Sequence, residues 1–204
     1  MPWLVTRGIQ SGRRGMPVSR RATVRGLKHV HSFHWGDYPR RRTRFRLIER
    51  ALWRMPDALI AVGHRQASAL RALYGIPRDR IQVAWNGVDR PVPDVAPPIR
   101  ELAEAAGAPV LMAISSMKEQ KGLPDLIDAA ALLRQRGLPF QLLLVGDGTL
   151  RAALEQRIDE LGLGAQVRIL GWIESAAARA LPVADIFVQS SRWEAMSVAV
   201  IEAM

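Results

Sequence analysis

Short apolar runs alternate with longer amphipathic segments along most of the chain. From residue 109 onward the alternation is regular. It predicts strands and helices in strict succession, with strands at 109–115, 140–146, 166–171 and 184–190 and helices at 121–137, 149–163 and 174–181. Near-continuous apolar strands are typical of parallel sheets covered on both faces. This half is therefore predicted to be an α/β sheet of right-handed βαβ units.

The first half shows the same alternation less completely. Its pattern predicts strands at 27–33, 57–62 and 80–85 and helices at 40–54 and 64–75. In the first of these helices, Phe45, Ile48, Leu52 and Trp53 share one stripe. Residues 1–27 show little periodicity, so they are either loosely ordered or the remnant of a larger unit.

A proline-rich stretch separates the two halves. NGVDRPVPDVAPPI (86–99) is predicted to be a turn and a link, since its four prolines disfavour a regular element. A helix around 100–106 is expected after it. The predicted domains are therefore residues 1–89 and 109–204, with residues 90–108 between them.

Composition limits the class of protein. The 204 residues contain no cysteine, which excludes disulfides and thiolate metal sites. No apolar run approaches the ~20 residues that span a bilayer, and the N-terminus lacks the apolar core of a secretory signal. We expect a cytoplasmic protein.

Positive charge is concentrated at the N-terminal end. Residues 1–54 hold fourteen Arg or Lys and two acids, which gives this segment a net charge of +12. The whole chain has a net charge of +10, so residues 55–204 carry about −2. A basic half indicates anionic partners, or else a solvated basic surface. The tract RRRTRFR (40–46) could bind nucleic acid or anionic lipid, and it lacks the repeated aromatics that stack on bases.

Candidate chemistry lies where the predicted strands end, because ligands of parallel sheets bind at the carboxyl ends of the strands. GDG (146–148) joins a strand to a helix and would either accept phosphate or form a tight turn. SSMKEQKG (115–122) brings Lys118 and Lys121 to a helix start, where a lysine opposes the helix dipole unless it meets an anion.

Two carboxylates, Glu194 and Glu202, lie eight positions apart in a small, apolar stretch, and Ser197 could cap a helix containing the second. Their spacing is long for one acid/base centre. It suits a split role better, with one carboxylate near a sugar and the other on ribose hydroxyls. The alternative is a pair of surface glutamates.

These motifs together resemble a known family. VGDG, KG, FVQSS, WEAM and IEAM occur in the order and spacing of the retaining glycosyltransferases of family 4, the group 1 glycosyl transferases with the GT-B fold, and Glu194 and Glu202 match that family's E-x7-E signature. NGVD, VHSFHW and DALIAVG resemble its amino-terminal domain. The resemblance covers roughly residues 28–204 and implies two Rossmann-like parallel-sheet domains, both incomplete here.

The resemblance also implies roles for individual residues. Catalytic roles fall to Glu194, which would face the donor sugar, and to His31, which would lie near the reacting sugar. The donor would be bound by Lys121 at its diphosphate, Glu202 at its ribose, and Trp172 and Ile173 at its base. Further donor contacts would come from Ala195 and Met196 through their backbone, and Gly146 and Gly148 would shape the cleft. The implied partners are a nucleotide-sugar donor and a glycan or lipid-linked acceptor, with no metal and no other cofactor.

The sequence departs from the family pattern in three places. Ser115 and Ser116 stand where the family usually has Gly-Arg, so Lys118 is expected to substitute in part for the arginine. Ala195 replaces a usual glycine. The family's first strands and last elements have no counterpart, so we expect a fragment, whose own activity is uncertain.

Three other interpretations stay open. His29, His31 and His34 could ligate zinc. The chain could be a non-catalytic basic module that binds anionic membrane or nucleic acid. It could also be another GT-B enzyme, such as a sugar-nucleotide epimerase.

Overall fold

The computed structural model of the chain describes residues 3–7, 28–34, 50 and 53–204. Their strands form two separate four-stranded sheets, and each strand pairing is parallel. The chain forms two compact units. The first is Met1–Asn86 with Glu194–Met196, and the second is Gly87–Trp193 with Ser197–Met204. The predicted α/β class with two parallel sheets is confirmed.

The first unit is built on a sheet whose strands follow chain order. They are β1 (Trp3–Arg7), β2 (Lys28–Phe33), β3 (Ala58–Ala61) and β4 (Ile81–Val83), and helix α1 (His64–Tyr74) joins β3 to β4. Helix α1 ends at Gly75, whose φ of 66° closes the helix in the left-handed region. Leu70 of α1 and Leu59 of β3 are fully buried in one apolar cluster, which holds the helix on the sheet.

One strand of this unit was not predicted from the sequence, and one predicted helix lies mostly outside the described residues. Strand β1 was not predicted, because five residues are too few to show a period, yet its backbone pairs in parallel with β2 along its whole length. The predicted helix at 40–54 lies almost entirely outside the described residues, and Trp53 and Arg54 form a turn. The basic tract 40–46 also lies outside them.

The second unit holds the other sheet, in the order β7-β6-β5-β8. Its strands are β5 (Val110–Ile114), β6 (Gln141–Val145), β7 (Val167–Gly171) and β8 (Ile186–Phe187). Its helices are α2 (Pro97–Ala106), α3 (Leu123–Gln135), α4 (Arg151–Glu160), α5 (Ala176–Arg179) and α6 (Val198–Glu202). Pro124 lies in the first turn of α3, where its missing N–H breaks no helical bond.

The apolar run of β6 is explained by burial on both faces of its sheet. Leu142 and Leu144 pack in one cluster with Ile127 of α3 and Leu154 of α4. The alternate residues, Leu143 and Val145, pack in a second cluster on the opposite face with residues of α2 and α5. The prediction of a doubly covered strand is therefore confirmed.

The proline-rich segment is more regular than predicted. Pro97 and Pro98 begin α2 instead of preventing a helix, because proline fits the first helical turn. Ile99 of α2 is buried in the cluster on that face of the second sheet. The N–H groups of Asp94 and Ala96 donate to the carbonyls of Ala178 and Arg179, both at 3.0 Å, which ties the segment to α5. Residues 90–108 therefore belong to the second unit.

Two predicted elements are shorter than expected. The helix predicted at 174–181 stops at Arg179, because Pro182 cannot continue it, and a 3₁₀ turn (Leu181–Val183) follows. The strand predicted at 184–190 pairs with β5 only at Ile186 and Phe187. Among the residues described, no helix is long and apolar enough to cross a membrane.

Candidate functional site

The carboxyl edge of the second sheet gathers most of the predicted donor residues. Ser115 and Ser116 follow β5, the GDG turn follows β6, Trp172 follows β7, and residues 188–193 follow β8. In a parallel sheet these four chain segments emerge at one edge. The sequence motifs that are far apart along the chain are therefore neighbours in the second unit.

The glycines of GDG are required by close backbone packing. A Cβ on Gly146 would lie 2.0 Å from the Ser115 carbonyl oxygen, and one on Gly148 would lie 2.5 Å from that of Met117. The turn is also joined to the β5 loop by the Met117 N–H, which donates to the Asp147 carbonyl at 2.8 Å. Both glycines thus allow the loops after β5 and β6 to touch, as expected for residues that shape the edge.

The GDG turn uses its own polar groups internally. The Gly148 N–H donates to Asp147 Oδ1 at 2.7 Å, and the Leu150 N–H donates to the Met117 carbonyl at 3.1 Å. The Gly148 N–H and the Arg151 guanidinium together hold the pKa of the Asp147 carboxyl below its usual value. An ionised carboxylate at this turn disfavours a phosphate beside it, so the geometry favours shaping over direct phosphate contact.

A second contact joins the lysine-bearing loop to the segment after β8. We call residues 118–122 the lysine loop and residues 189–193 the β8 extension. The Arg192 N–H donates to the Gln120 carbonyl at 2.9 Å, and Gln120 Nε2 donates to the Trp193 carbonyl at 2.9 Å. Ser190 Oγ donates to the Lys121 carbonyl at 2.8 Å. These three bonds explain why β8 ends early: its extension turns to the lysine loop and no longer follows β5.

Gly122 completes this contact at its closest point. Its φ is 61°, and a Cβ there would lie 2.3 Å from the Ser190 carbonyl oxygen. Any other residue would meet both the strain of the left-handed region and a backbone clash. The glycine of the KG motif therefore fixes the distance between the lysine loop and the β8 extension.

Arg192 adds charge to the same contact. Its Nε and Nη2 donate to the two carboxylate oxygens of Asp125 at 3.0 and 3.1 Å, and Nη1 lies 3.8 Å from Glu119. The Arg192 hydrogen bond is the main cause that holds the pKa of the Asp125 carboxyl low. A bidentate pair fixes orientation as well as distance. Sequence reasoning missed both residues, which lie 67 positions apart.

The predicted lysines lie at opposite ends of a 3₁₀ turn (Glu119–Lys121) that leads into α3. Lys118 is exposed before the turn, and Lys121 is half-buried at its end, next to Gly122. Ser116 is half-buried, and its carbonyl accepts from the Lys118 N–H at 2.9 Å. Both lysines therefore lie between the carboxyl end of β5 and the start of α3, and their contact with a diphosphate stays a prediction.

Trp172 and Ile173, the predicted base contacts, have opposite environments. Ile173 is half-buried and packs against the apolar cluster that contains Ile99 and Val145. The Trp172 side chain is 78 % exposed and follows Gly171, whose φ is 74°. An exposed indole at the sheet edge offers a flat surface for stacking, a role that the sequence had assigned only to the backbone.

The two glutamates lie on different kinds of backbone. Glu194, Ala195 and Met196 precede a helix, and all three are half-buried. Ser197 is the N-cap of α6, as predicted: its Oγ accepts from the Val200 N–H at 3.4 Å and donates to Gln189 Oε1 at 3.2 Å. Glu202 is half-buried at the end of α6. The interval of eight residues thus contains an irregular segment with a bend at Ala195, a cap and a short helix.

The segment Glu194–Met196 is part of the first unit. There, Met196 Sδ accepts from the Asn86 N–H at 3.3 Å. A Cβ on Gly63 would lie 3.4 Å from the Ala195 carbonyl oxygen, an ordinary contact. These contacts place the segment beside the residues that follow β3 and β4.

His31 lies within β2, before the carboxyl end of the strand. Its ring meets Phe33 edge-on, with centroids 4.7 Å apart. Burial, and then the neighbouring His29 and His34, lower the pKa of His31 from 6.5 to about 4, so the ring is neutral at pH 7. His34 follows the strand end, where Ser32 Oγ lies 3.0 Å from its Nε2. A catalytic role for His31 stays a prediction.

The described part of the chain contains no group of three or more His, Asp or Glu residues that could hold a metal ion. His29, His31 and His34 are described and do not form such a group, which contradicts the zinc interpretation.

Comparison with known protein families decides the class. The model of glycosyl transferases group 1 matches residues 98–204, and that of glycosyltransferase family 4 matches residues 9–90. The chain belongs to the group 1 glycosyl transferases. The resemblance seen in its motifs is therefore confirmed. None of the curated proteins matches this group 1 glycosyl transferase.

Solved structures share its fold. HepE of Anabaena, in complex with UDP and glucose, has a TM-score of 0.74 at 23 % identity, over 87 % of this chain and 50 % of that one. A TarM variant of S. aureus, in complex with fondaparinux, alpha-GlcNAc-glycerol and UDP, has a TM-score of 0.72 at 15 % identity, over 90 % and 36 %. Sucrose-phosphate synthase of Thermosynechococcus elongatus has a TM-score of 0.71 at 21 % identity, over 87 % and 48 %. This chain thus spans half or less of their lengths, and the shared fold is GT-B.

Proposed function

We propose that the protein transfers a sugar from a nucleotide-sugar donor to an acceptor hydroxyl with retention of configuration. The observation that carries the proposal is the edge of the second sheet, where Gly122 and GDG join the lysine loop, the β8 extension and the turn after β6. Family membership supports the reaction class, and a structure of HepE in complex with UDP-glucose supports the donor class.

The donor diphosphate is proposed to meet Lys121 and Lys118. The leaving nucleotide gains negative charge as the glycosidic bond breaks, and ammonium groups fixed on a rigid loop stabilise that charge. The three hydrogen bonds between the lysine loop and the β8 extension fix the backbone of Lys121 against that extension. No metal is required in this proposal.

Each remaining part of the donor has a proposed partner. The Trp172 ring stacks on the base, and Glu202 accepts hydrogen bonds from the ribose. Glu194 faces the donor sugar, with the backbone of Ala195 and Met196. His31 is neutral at pH 7, so near the reacting sugar it would act as a hydrogen-bonding group and not as a cation.

The acceptor is proposed to be a glycan or a lipid-linked glycan of the cell envelope. A TarM structure contains alpha-GlcNAc-glycerol, and a pneumococcal GtfA structure contains UDP and GlcNAc, which supports sugar-bearing acceptors in this fold. A cytoplasmic location with contact to anionic membrane through residues 40–46 is part of the same proposal.

The test is titration calorimetry of the purified chain with UDP, GDP and ADP. We expect saturable binding of one nucleotide, unchanged by EDTA and weakened at least about tenfold in Glu202→Ala, since a hydrogen bond to a charged group contributes about 1.5–3 kcal/mol. The control is Glu104→Ala, which removes an exposed carboxylate from α2. A chain that circular dichroism shows to be folded, yet that binds none of the three, would refute the donor site.

A further inference from the structure

The carboxyl edge of the first sheet carries an exposed aromatic side chain that the donor site does not use. Trp85 follows β4 and is 68 % exposed. His64 begins α1, and its ring meets Trp85 edge-on, with centroids 5.9 Å apart and planes at 83°. The indole is therefore largely accessible, and the imidazole of His64 lies beside it. The result is a flat apolar surface with polar groups at its rim.

This pair lies where the sheet would bind a ligand. β3 and β4 are neighbouring strands, and His64 and Trp85 come shortly after their carboxyl ends. The Ala84 N–H donates to the Ala61 carbonyl at 3.0 Å, which fixes the chain just before Trp85. The indole is therefore held on short, hydrogen-bonded backbone between two strand ends.

The pair also lies beside the segment assigned to the donor sugar. Asn86, the residue after Trp85, donates its N–H to Met196 Sδ at 3.3 Å within the first unit. Gly63, the residue before His64, approaches the Ala195 carbonyl. The two ends of the Trp85–His64 surface thus adjoin residues 195 and 196.

We propose that Trp85 and His64 form the acceptor subsite, in which the indole face packs on the pyranose ring of a glycan acceptor. A pyranose has an apolar face of C–H groups and a rim of hydroxyls, which matches an open indole bordered by an imidazole. The proposal rests on the proposed function, since it takes residues 194–196 as the donor-sugar segment.

The test is saturation-transfer NMR with the methyl glycosides of glucose, galactose, mannose and N-acetylglucosamine, with UDP present. At least one glycoside is expected to receive saturation at its ring protons. Trp85→Ala should weaken its binding about tenfold, which is the effect of ~1.4 kcal/mol, and Trp85→Phe should retain part of it. His64→Ala should weaken it less. The control is Leu132→Ala, which removes an exposed apolar side chain of α3 and should leave glycoside binding intact.

Calorimetry with UDP separates this proposal from the donor proposal. Trp85→Ala should bind UDP as the wild type does. Normal UDP binding without any glycoside signal, or equal signals in wild type and Trp85→Ala, would overturn the acceptor subsite alone. Weaker UDP binding in Trp85→Ala would overturn the acceptor subsite, because it would show that the Trp85 indole stacks on the nucleotide base instead. If sedimentation velocity shows a dimer that the Trp85→Ala substitution dissociates, the exposed indole is a self-association surface, and the acceptor subsite is overturned. Glycoside binding without UDP binding would support the subsite and refute the donor proposal.

Discussion

Replacement of Gly122 by alanine tests whether the contact between the lysine loop and the β8 extension organises the donor site. The matched control is Gly137→Ala, because Gly137 has nearly the same backbone, with φ of 68° against 61°, and lies in the same unit. A Cβ on Gly137 meets nothing within 4 Å, whereas one on Gly122 would lie 2.3 Å from the Ser190 carbonyl oxygen.

Gly122→Ala and Gly137→Ala share one destabilising effect, the strain of the left-handed backbone, and Gly122→Ala has a second, a backbone clash. Alanine in the left-handed region costs about 1–2 kcal/mol at either position. At Gly122 the carbon–oxygen contact must also lengthen by about 1 Å to reach ordinary C···O distances. That shift breaks the three hydrogen bonds that Gln120, Ser190 and Arg192 make across the contact, at about 0.5–1.5 kcal/mol each. We expect losses of about 3–6 kcal/mol for Gly122→Ala and about 1–2 kcal/mol for Gly137→Ala.

The assay is urea denaturation followed by far-ultraviolet circular dichroism, with UDP calorimetry on both variants under conditions where each is folded. Gly122→Ala should also weaken UDP binding, since it displaces the lysine loop, and Gly137→Ala should not. If the two variants lose equal stability and bind UDP equally, the loop contact does not hold the site, and the reasoning from close packing fails.

Two further predictions concern charge. Arg192→Met should cost little stability, because its pair with Asp125 is largely exposed and screened by solvent, yet it should weaken UDP binding several-fold. The control Arg157→Met breaks the comparably exposed pair with Asp128 and should cost similar stability without affecting UDP; equal UDP affinities in the two variants would contradict a positioning role. His31 should titrate near pH 4 in an NMR titration, and a midpoint near 6.5 would disprove its burial. As the pH is lowered from about 6.5 to about 4, the unfolded His31 ring takes up a proton and the folded ring does not. The free energy of unfolding should therefore fall over this range by at most about 3 kcal/mol. The fall should be less steep in His31→Leu.

Much of the fold follows from local pattern. The run LLLV in β6 predicts a strand buried on both faces, and its alternate residues do enter two different clusters. Ser197 was recognised as a cap because an N-cap needs only a side-chain oxygen three residues before a free N–H. β1 escaped detection because parallel pairing to β2 is a property of the sheet and not of five residues.

The site was predictable only where a motif is local. GDG and KG are visible as glycines after a strand or before a helix, but the atoms that require glycine, the carbonyls of Ser115 and Ser190, are distant in the sequence. Arg192 and Asp125 carry no local signal at all, since an arginine in a loop and an acid in a helix's first turn are each ordinary.

The interval between Glu194 and Glu202 shows how a linear motif can encode a spatial one. Two carboxylates on one helix at that spacing would lie about 12 Å apart along its axis, too far to act on one group. Here Ser197 begins a short helix, so that Glu194 lies before the helix start while Glu202 lies on α6. The stretch between the two acids therefore contains a helix start. Loss of that start would remove the cap of the helix that carries Glu202, even with both carboxylates intact. A single capping hydroxyl inside the signature thus sets where that helix begins.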